Sequence, residues 1–203
     1  MARQNLETFA RYGVTKVLTQ CPHCLNAIRN EYPDLGGRFE VVHHTELIAR
    51  LVEEGRLRPT AGAELAVERI TFHDPCYLAR HNATVAAPRT ALSAAGVTLT
   101  ELERSGRTGF CCGGGGGRMW LEEKLGSRVN RSRAEEVAAT LGPAGGAVAT
   151  GCPFCLTMLK DGLAETGRED RIRVVDVAEL VAARVELPGR ERNPLRNNST
   201  VKP

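Results

Sequence analysis

Two stretches of the chain, 131 residues apart from Cys21 to Cys152, carry one pattern: Thr19-Gln20-Cys21-Pro22-His23-Cys24-Leu25 and Thr150-Gly151-Cys152-Pro153-Phe154-Cys155-Leu156. Farther along, Val41-Val42 with Thr45-Glu46-Leu47 is echoed by Val174-Val175 with Ala178-Glu179-Leu180. Each copy reads strand, Cys-Pro-x-Cys, helix, strand, helix, so the fold must accommodate the same supersecondary unit twice. Within Cys-Pro-x-Cys the first cysteine suits the residue that caps a helix, proline the first helical position and the second cysteine the first turn. Unpaired amides and the helix dipole favour anions there, which draws both thiols toward thiolate, the form that ligates metals.

Hydrophobic periodicity predicts strands at 14–19, 39–43, 68–73, 97–102, 146–150 and 172–175. It predicts helices at 3–12, 22–31, 44–54, 87–95, 120–140, 153–165 and 177–185. This alternation specifies an α/β, Rossmann-like fold with a mainly parallel sheet flanked by helices. A repeat unit of about 131 residues would place the first copy's start before Met1. The expected organisation is therefore a truncated first repeat (1–58), a linker (59–66), a complete second repeat (67–186) and a disordered tail (187–203), the last being rich in proline and asparagine and without periodicity.

The 27 Lys+Arg and 24 Asp+Glu are scattered, with no basic block, which argues against a nucleic-acid partner. No apolar run approaches the roughly 20 residues that span a bilayer, and the N-terminus lacks the apolar stretch of a secretion signal. The expected location is cytoplasmic, with any membrane association made through a partner. In a reducing compartment seven cysteines read as metal ligands or redox thiols before disulfides.

Five of them, Cys76, Cys111, Cys112, Cys152 and Cys155, come from three places that each follow a predicted strand, where ligand sites of open α/β sheets lie. Adjacent Cys111-Cys112 suit several metal atoms better than one tetrahedral ion. Gly113 to Gly117 removes every β-carbon for five residues, letting backbone N–H groups approach a bulky inorganic group, with Arg107 and Arg118 flanking the loop.

The set His73-Asp74-Pro75-Cys76, Cys111-Cys112-Gly-rich loop-Arg118-Met119-Trp120 and Cys152-Pro153-Phe154-Cys155 resembles the cysteine-rich, CCG-motif family. That family includes the catalytic subunit of heterodisulfide reductase and the iron–sulfur subunit of glycolate oxidation, and the match spans roughly residues 3–186. The resemblance implies an iron–sulfur oxidoreductase with a [4Fe-4S] cluster of noncubane type on Cys76, Cys111, Cys112, Cys152 and Cys155. It also implies redox partners: a ferredoxin-like subunit, a flavoprotein or a quinone-linked membrane subunit. Relatives usually carry two complete repeats and ferredoxin-like clusters. Here there are no ferredoxin cysteines, and the first repeat keeps only Cys21 and Cys24, a partial second site.

Other readings remain open. Zinc competes for four of the five thiols, giving a structural module that docks on a redox complex, and Cys21 and Cys24 with His43 or His44 would make a Cys/His zinc site. Cys21–Cys24 is also the signature of thiol–disulfide exchange. His43 and His44 otherwise cap or pack at a strand end. His73 and Asp74 read either as hydrogen-bonding groups that tune the centre or as ordinary turn residues. Tyr77, Arg80 and His81 line a substrate entry, Met119 and Trp120 belong to the core, and an exposed sheet edge left by truncation favours self-association.

Overall fold

The structure, a computed structural model, describes residues 1–58, 69–122 and 126–184; the expected linker at 59–66 and tail at 187–203 lie outside them. After helix α1 (Ala2–Arg11), the first unit runs β1 (Lys16–Thr19), α2 (Pro22–Asn26), β2 (Glu40–His43) and α3 (His44–Glu53). The second begins at β3 (Ile70–His73), followed by the short α4 (Cys76–Ala79), α5 (Ala86–Ala94) and β4 (Leu99–Thr100). It continues through α6 (Val129–Leu141), β5 (Gly146–Thr150), α7 (Pro153–Glu165), β6 (Ile172–Asp176) and α8 (Val177–Ala182).

All pairings are parallel: β1 with β2, and a four-stranded sheet in the order β4-β3-β5-β6. Because side chains alternate along a strand, that sheet buries two faces. Ile70, Phe72, Ala147, Ala149 and Val175 meet α5 and α8 through Leu92, Leu180 and Val181, with Ile48 of α3 packed at the margin. Val148 and Ile172 meet α6 and α7 on the other face through Val137, Leu141, Leu159 and Leu163. Leu141, Leu159 and Leu163 are at most 1% exposed, and each contributes roughly 2 kcal/mol by leaving water. Helices α6 and α7 touch so closely at Gly162 that a β-carbon there would lie 2.5 Å from the Asn130 carbonyl oxygen.

The α/β class and the parallel sheets agree with the periodicity, and the differences have local causes. Helix 22–31 stays α-helical only to Asn26 and then widens into a π turn over Ala27–Glu31. In a regular helix the ring of Pro33 would press on the Arg29 carbonyl. The helix expected from 120 starts only at Val129, because Gly115–Trp120 is a 3-10 turn containing left-handed glycines and Gly126 has φ 70°. Trp120, expected in the core, is 80% exposed: without a helix to carry it, the ring has no face to pack on. Strand 97–102 shrinks to two paired residues at the sheet edge.

Candidate metal centre

From β3 the chain moves to one side of the sheet to form β4, then returns to the other side of β3 to form β5 and β6. The order therefore reverses between β3 and β5, and it is outside the C-terminal ends of such a strand pair that open α/β sheets form a crevice. β3 runs through His73-Asp74-Pro75 into Cys76, and β5 runs through Gly151 into Cys152. Thr150 Oγ1 donates to the His73 carbonyl at 3.2 Å and ties the two exits together. The loop after β4 brings Cys111 and Cys112 to the same place.

The result is an unbroken row of sulfurs. Electrostatically the sulfurs are coupled in series, Cys76 and Cys112 to Cys111 and Cys155 to both Cys112 and Cys152, with His23 coupled to Cys152. Cys112, Cys152 and Cys155 are at most 4% exposed, packed with Met158 and, at the margin, Met119. The row alternates in acidity. The thiols of Cys112 and Cys76 hold Cys111 far below the usual thiol range, helped by the Gly113 amide, which donates to its sulfur at 3.3 Å. Cys155 holds Cys152 down to about 5, assisted by His23 and by the amides of Cys155 and Phe154 at the start of α7. Their neighbours rise in exchange: Cys76 through Cys111, Cys112 to about 12 through the same neighbour, and Cys155 well up through Cys112 and Cys152.

The loop that carries Cys111 and Cys112 is clamped by the turn before Cys76. Asp74, buried, takes two 2.9 Å bonds from Arg89 and one of 2.6 Å from the Gly106 amide. Arg80 donates to the carbonyls of Arg107 and Gly109, so it holds the loop where a residue lining a substrate path was expected. Tyr77 and His81 do stack, with centroids 4.5 Å apart, and Tyr77 also meets His23 at 4.3 Å. Of the glycine run, Gly114 is the tightest: a β-carbon there would press on Met158 Cγ at 3.0 Å and lie 3.7 Å from Cys112 Sγ.

The Cys-Pro-x-Cys geometry is as expected in both copies: Cys21 and Cys152 are extended cap residues, and Pro22 and Pro153 open the helices. The two copies meet at His23. His23 lies 3.8 Å from Cys21 Sγ and is drawn up to about 9, first by its bond to Cys152 and then by Cys21. Burial pushes the Cys21 thiol up, but bonds from His23 and neighbouring amides outweigh it; Cys24 rises to about 11 through burial and the Cys21 charge. A β-carbon on Gly151 would lie within 3.5 Å of His43, His44 and Thr45, so the two units abut.

His43 caps α3, with Nδ1 facing Thr45 and Nε2 on the Gln20 carbonyl at 3.1 Å, and His44 Nε2 lies 3.3 Å from Asp176. With both His43 nitrogens engaged, the capping expectation holds for His43, and that ring keeps no lone pair for a zinc site with Cys21 and Cys24. Asp176 caps α8 as His43 caps α3, each in a box with the glutamate three residues on.

Two residues of the site were missed by sequence reasoning. His23 reads as an interchangeable x of Cys-Pro-x-Cys. Arg133 is fully buried and donates from Nε to His73 Nδ1 at 3.0 Å. Its signal was available, since Asn130, Arg133, Ala134, Val137 and Leu141 share one buried stripe of α6.

The donor set suits a multi-metal group better than a single ion. A ring nitrogen of His73 and the sulfurs of Cys112 and Cys155 lie within 4.8 Å of one another, the one such grouping among the described residues. Cys76 and Cys111 extend the row from Cys112, and Cys152 extends it from Cys155. A tetrahedral ion takes four ligands, whereas this row offers five thiols and an imidazole. Thiolates with amide donors at their sulfurs are the ligands of iron–sulfur centres.

The family model described as "CCG: Cysteine-rich domain" matches residues 1–29 and 70–160. The EtfAB:quinone oxidoreductase of Syntrophomonas wolfei is 45% identical over 188 residues, covering 89% of this chain and 26% of that protein. The probable iron-sulfur-binding oxidoreductase FadF of Bacillus subtilis is 47% identical over 186 residues, 91% of this chain and 26% of its own length. One of the polypeptides of the dihydromethanophenazine:CoB--CoM heterodisulfide reductase of Methanosarcina barkeri is 35% identical over 187 residues, 90% of this chain and 44% of that polypeptide. The chain thus spans about a quarter to under a half of these relatives. No solved structure matches it.

Proposed function

Because the chain belongs to the cysteine-rich CCG domain family, we propose that Cys76, Cys111, Cys112, Cys152 and Cys155 hold one [4Fe-4S] cluster through which electrons pass. The unbroken sulfur row from Cys76 to Cys152 carries this reading. When bound, the cluster supplies one-electron chemistry. The chain's own residues set its surroundings. Buried Met158 and the cysteines keep water out, Gly113 aims an N–H at Cys111, and His23 lies against the outer sulfur of Cys152. Adjacent Cys111 and Cys112 would supply two of the ligands, and in this reading the cluster is of the noncubane type.

In this reading residues 1–58 are the closing part of a first repeat and 67–186 a complete second one, and Cys21 with Cys24 is a partial site beside the cluster. The partners are redox proteins: a ferredoxin-like protein, a flavoprotein or a quinone-linked membrane subunit. This fits relatives named as an EtfAB:quinone oxidoreductase and as part of a heterodisulfide reductase. No helix among the described residues is long and apolar enough to cross a membrane.

The close grouping of His73, Cys112 and Cys155 favours a second reading, a single zinc ion in a structural module. Metal and sulfide analysis of anaerobically purified protein decides between them. About four irons and as many acid-labile sulfides per chain are expected. A colourless protein with one zinc overturns the proposal.

A further inference from the structure

His73 is fully buried at the end of β3, and its two ring nitrogens have different fates. Nδ1 takes a 3.0 Å hydrogen bond from Nε of Arg133, whose side chain is likewise fully buried, and Nε2 has no partner. A guanidinium is permanently charged and only donates, so Nδ1 must present its lone pair. In the neutral ring the proton then sits on Nε2. A buried N–H left unpaired costs about 1–3 kcal/mol, which makes an acceptor for Nε2 the missing half of the site. The sulfurs of Cys112 and Cys155 lie within 4.8 Å of one of the two ring nitrogens and of each other, and of the two nitrogens only Nε2 is unpartnered.

We infer that His73 donates an Nε2–H hydrogen bond to the sulfur atoms of the centre at Cys112 and Cys155 and is not a metal ligand, and that Arg133 is the positioning residue that fixes its tautomer. Ligation through Nε2 would require removing that proton or turning Nδ1 into a donor that faces the Arg133 donor. Arg133 is itself anchored, through Nη1, on the Arg104 carbonyl at 3.1 Å and on Glu136 at 2.9 Å, so it cannot swing away cheaply. A donor at a cluster sulfur favours the more negative, reduced state, so His73 raises the potential of the centre. That consequence rests on the cluster proposed above; the tautomer does not.

The tests separate these parts. In metal-free protein carrying 15N-histidine, NMR is expected to show His73 with Nδ1 unprotonated and Nε2 protonated, and with both tautomers populated in Arg133→Met. The opposite tautomer, or no change in Arg133→Met, overturns the assignment whether or not any cluster binds. In the reduced, iron-loaded protein, hyperfine spectroscopy should give a weak 15N coupling and an exchangeable proton coupling; the strong coupling of a metal-bound nitrogen overturns the donor role.

Replacing the ring by His73→Leu should lower the ratio of reduced to oxidised centre about tenfold at a fixed potential, 59 mV for a one-electron couple, while His73→Gln, whose amide reaches the Nε2 position, restores most of it. Equal potentials for wild type and His73→Leu overturn the tuning role. If His73→Leu fails to load iron, the wild-type hyperfine couplings decide. If wild type itself binds no iron, the cluster proposal falls while the NMR result still judges the tautomer.

Discussion

Replacing Asp74 with alanine removes the tie between the turn before Cys76 and the loop that delivers Cys111 and Cys112. The carboxylate is 1% exposed and holds Arg89 by two 2.9 Å bonds, while a third bond reaches the Gly106 amide at 2.6 Å. Breaking one partner of a buried ion pair costs about 3–5 kcal/mol when the other charge is stranded. Here Arg89 keeps Glu101, with bonds of 2.7 and 2.8 Å, so the guanidinium is not stranded and the lower end applies. The orphaned Gly106 amide adds to the loss. The expected destabilisation of metal-free Asp74→Ala is about 3 kcal/mol, read by anaerobic urea unfolding at pH 7. In an Arg89→Met background the same change should cost about 1–2 kcal/mol less, because the pair is already broken. A loss under about 0.5 kcal/mol, or the same loss in both backgrounds, would refute the clamp.

Further outcomes follow from the same structure. Gly162→Ala gains up to about 1 kcal/mol in helix propensity, but its β-carbon would lie 2.5 Å from the Asn130 carbonyl oxygen. Overpacking on backbone costs about 1–3 kcal/mol, so thermal unfolding should show a net loss, and a stabilised variant contradicts the α6–α7 contact. His43 is depressed to about 4 by burial and then by the charge of His44. The unfolded ring binds its proton near 6.5, so His43 stabilises the fold above that pH, and this contribution is lost as pH falls from about 6.5 toward 4. Stability of the metal-free chain should drop by roughly 2 kcal/mol between pH 7 and 5 from this ring. His43→Asn, which keeps a capping side chain, should flatten that slope. Cys112→Ser should abolish visible cluster absorption while Cys21→Ser leaves most of it; equal losses would mean that both cysteine motifs share one ligand set.

The repeated Cys-Pro-x-Cys unit made the strand and helix order legible, because proline and cysteine each have one favoured place at a helix start and the following Val-Val strands pair in parallel. The convergence of Cys76 with Cys111 was also readable, since ligand-bearing loops of α/β sheets follow strand ends. Helix boundaries were not, where glycine and proline override periodicity, as at Trp120 and Pro33. Nor was the meeting of the two units at His23 and Cys152: a contact over more than a hundred residues depends on how two sheets dock, which one-dimensional patterning does not encode. Asp74 and Arg89 stand 15 residues apart and read as unrelated charges until β3 and α5 pack together.

In the proposed reading, sulfurs from three strand exits hold one multi-iron centre. Anomalous scattering at the iron edge, from crystals grown without oxygen, locates iron directly. A cluster of iron atoms bonded to Cys76, Cys111, Cys112, Cys152 and Cys155 is expected, with His73 outside bonding reach. A lone metal ion bonded to His73, Cys112 and Cys155, or no iron signal at all, would contradict it.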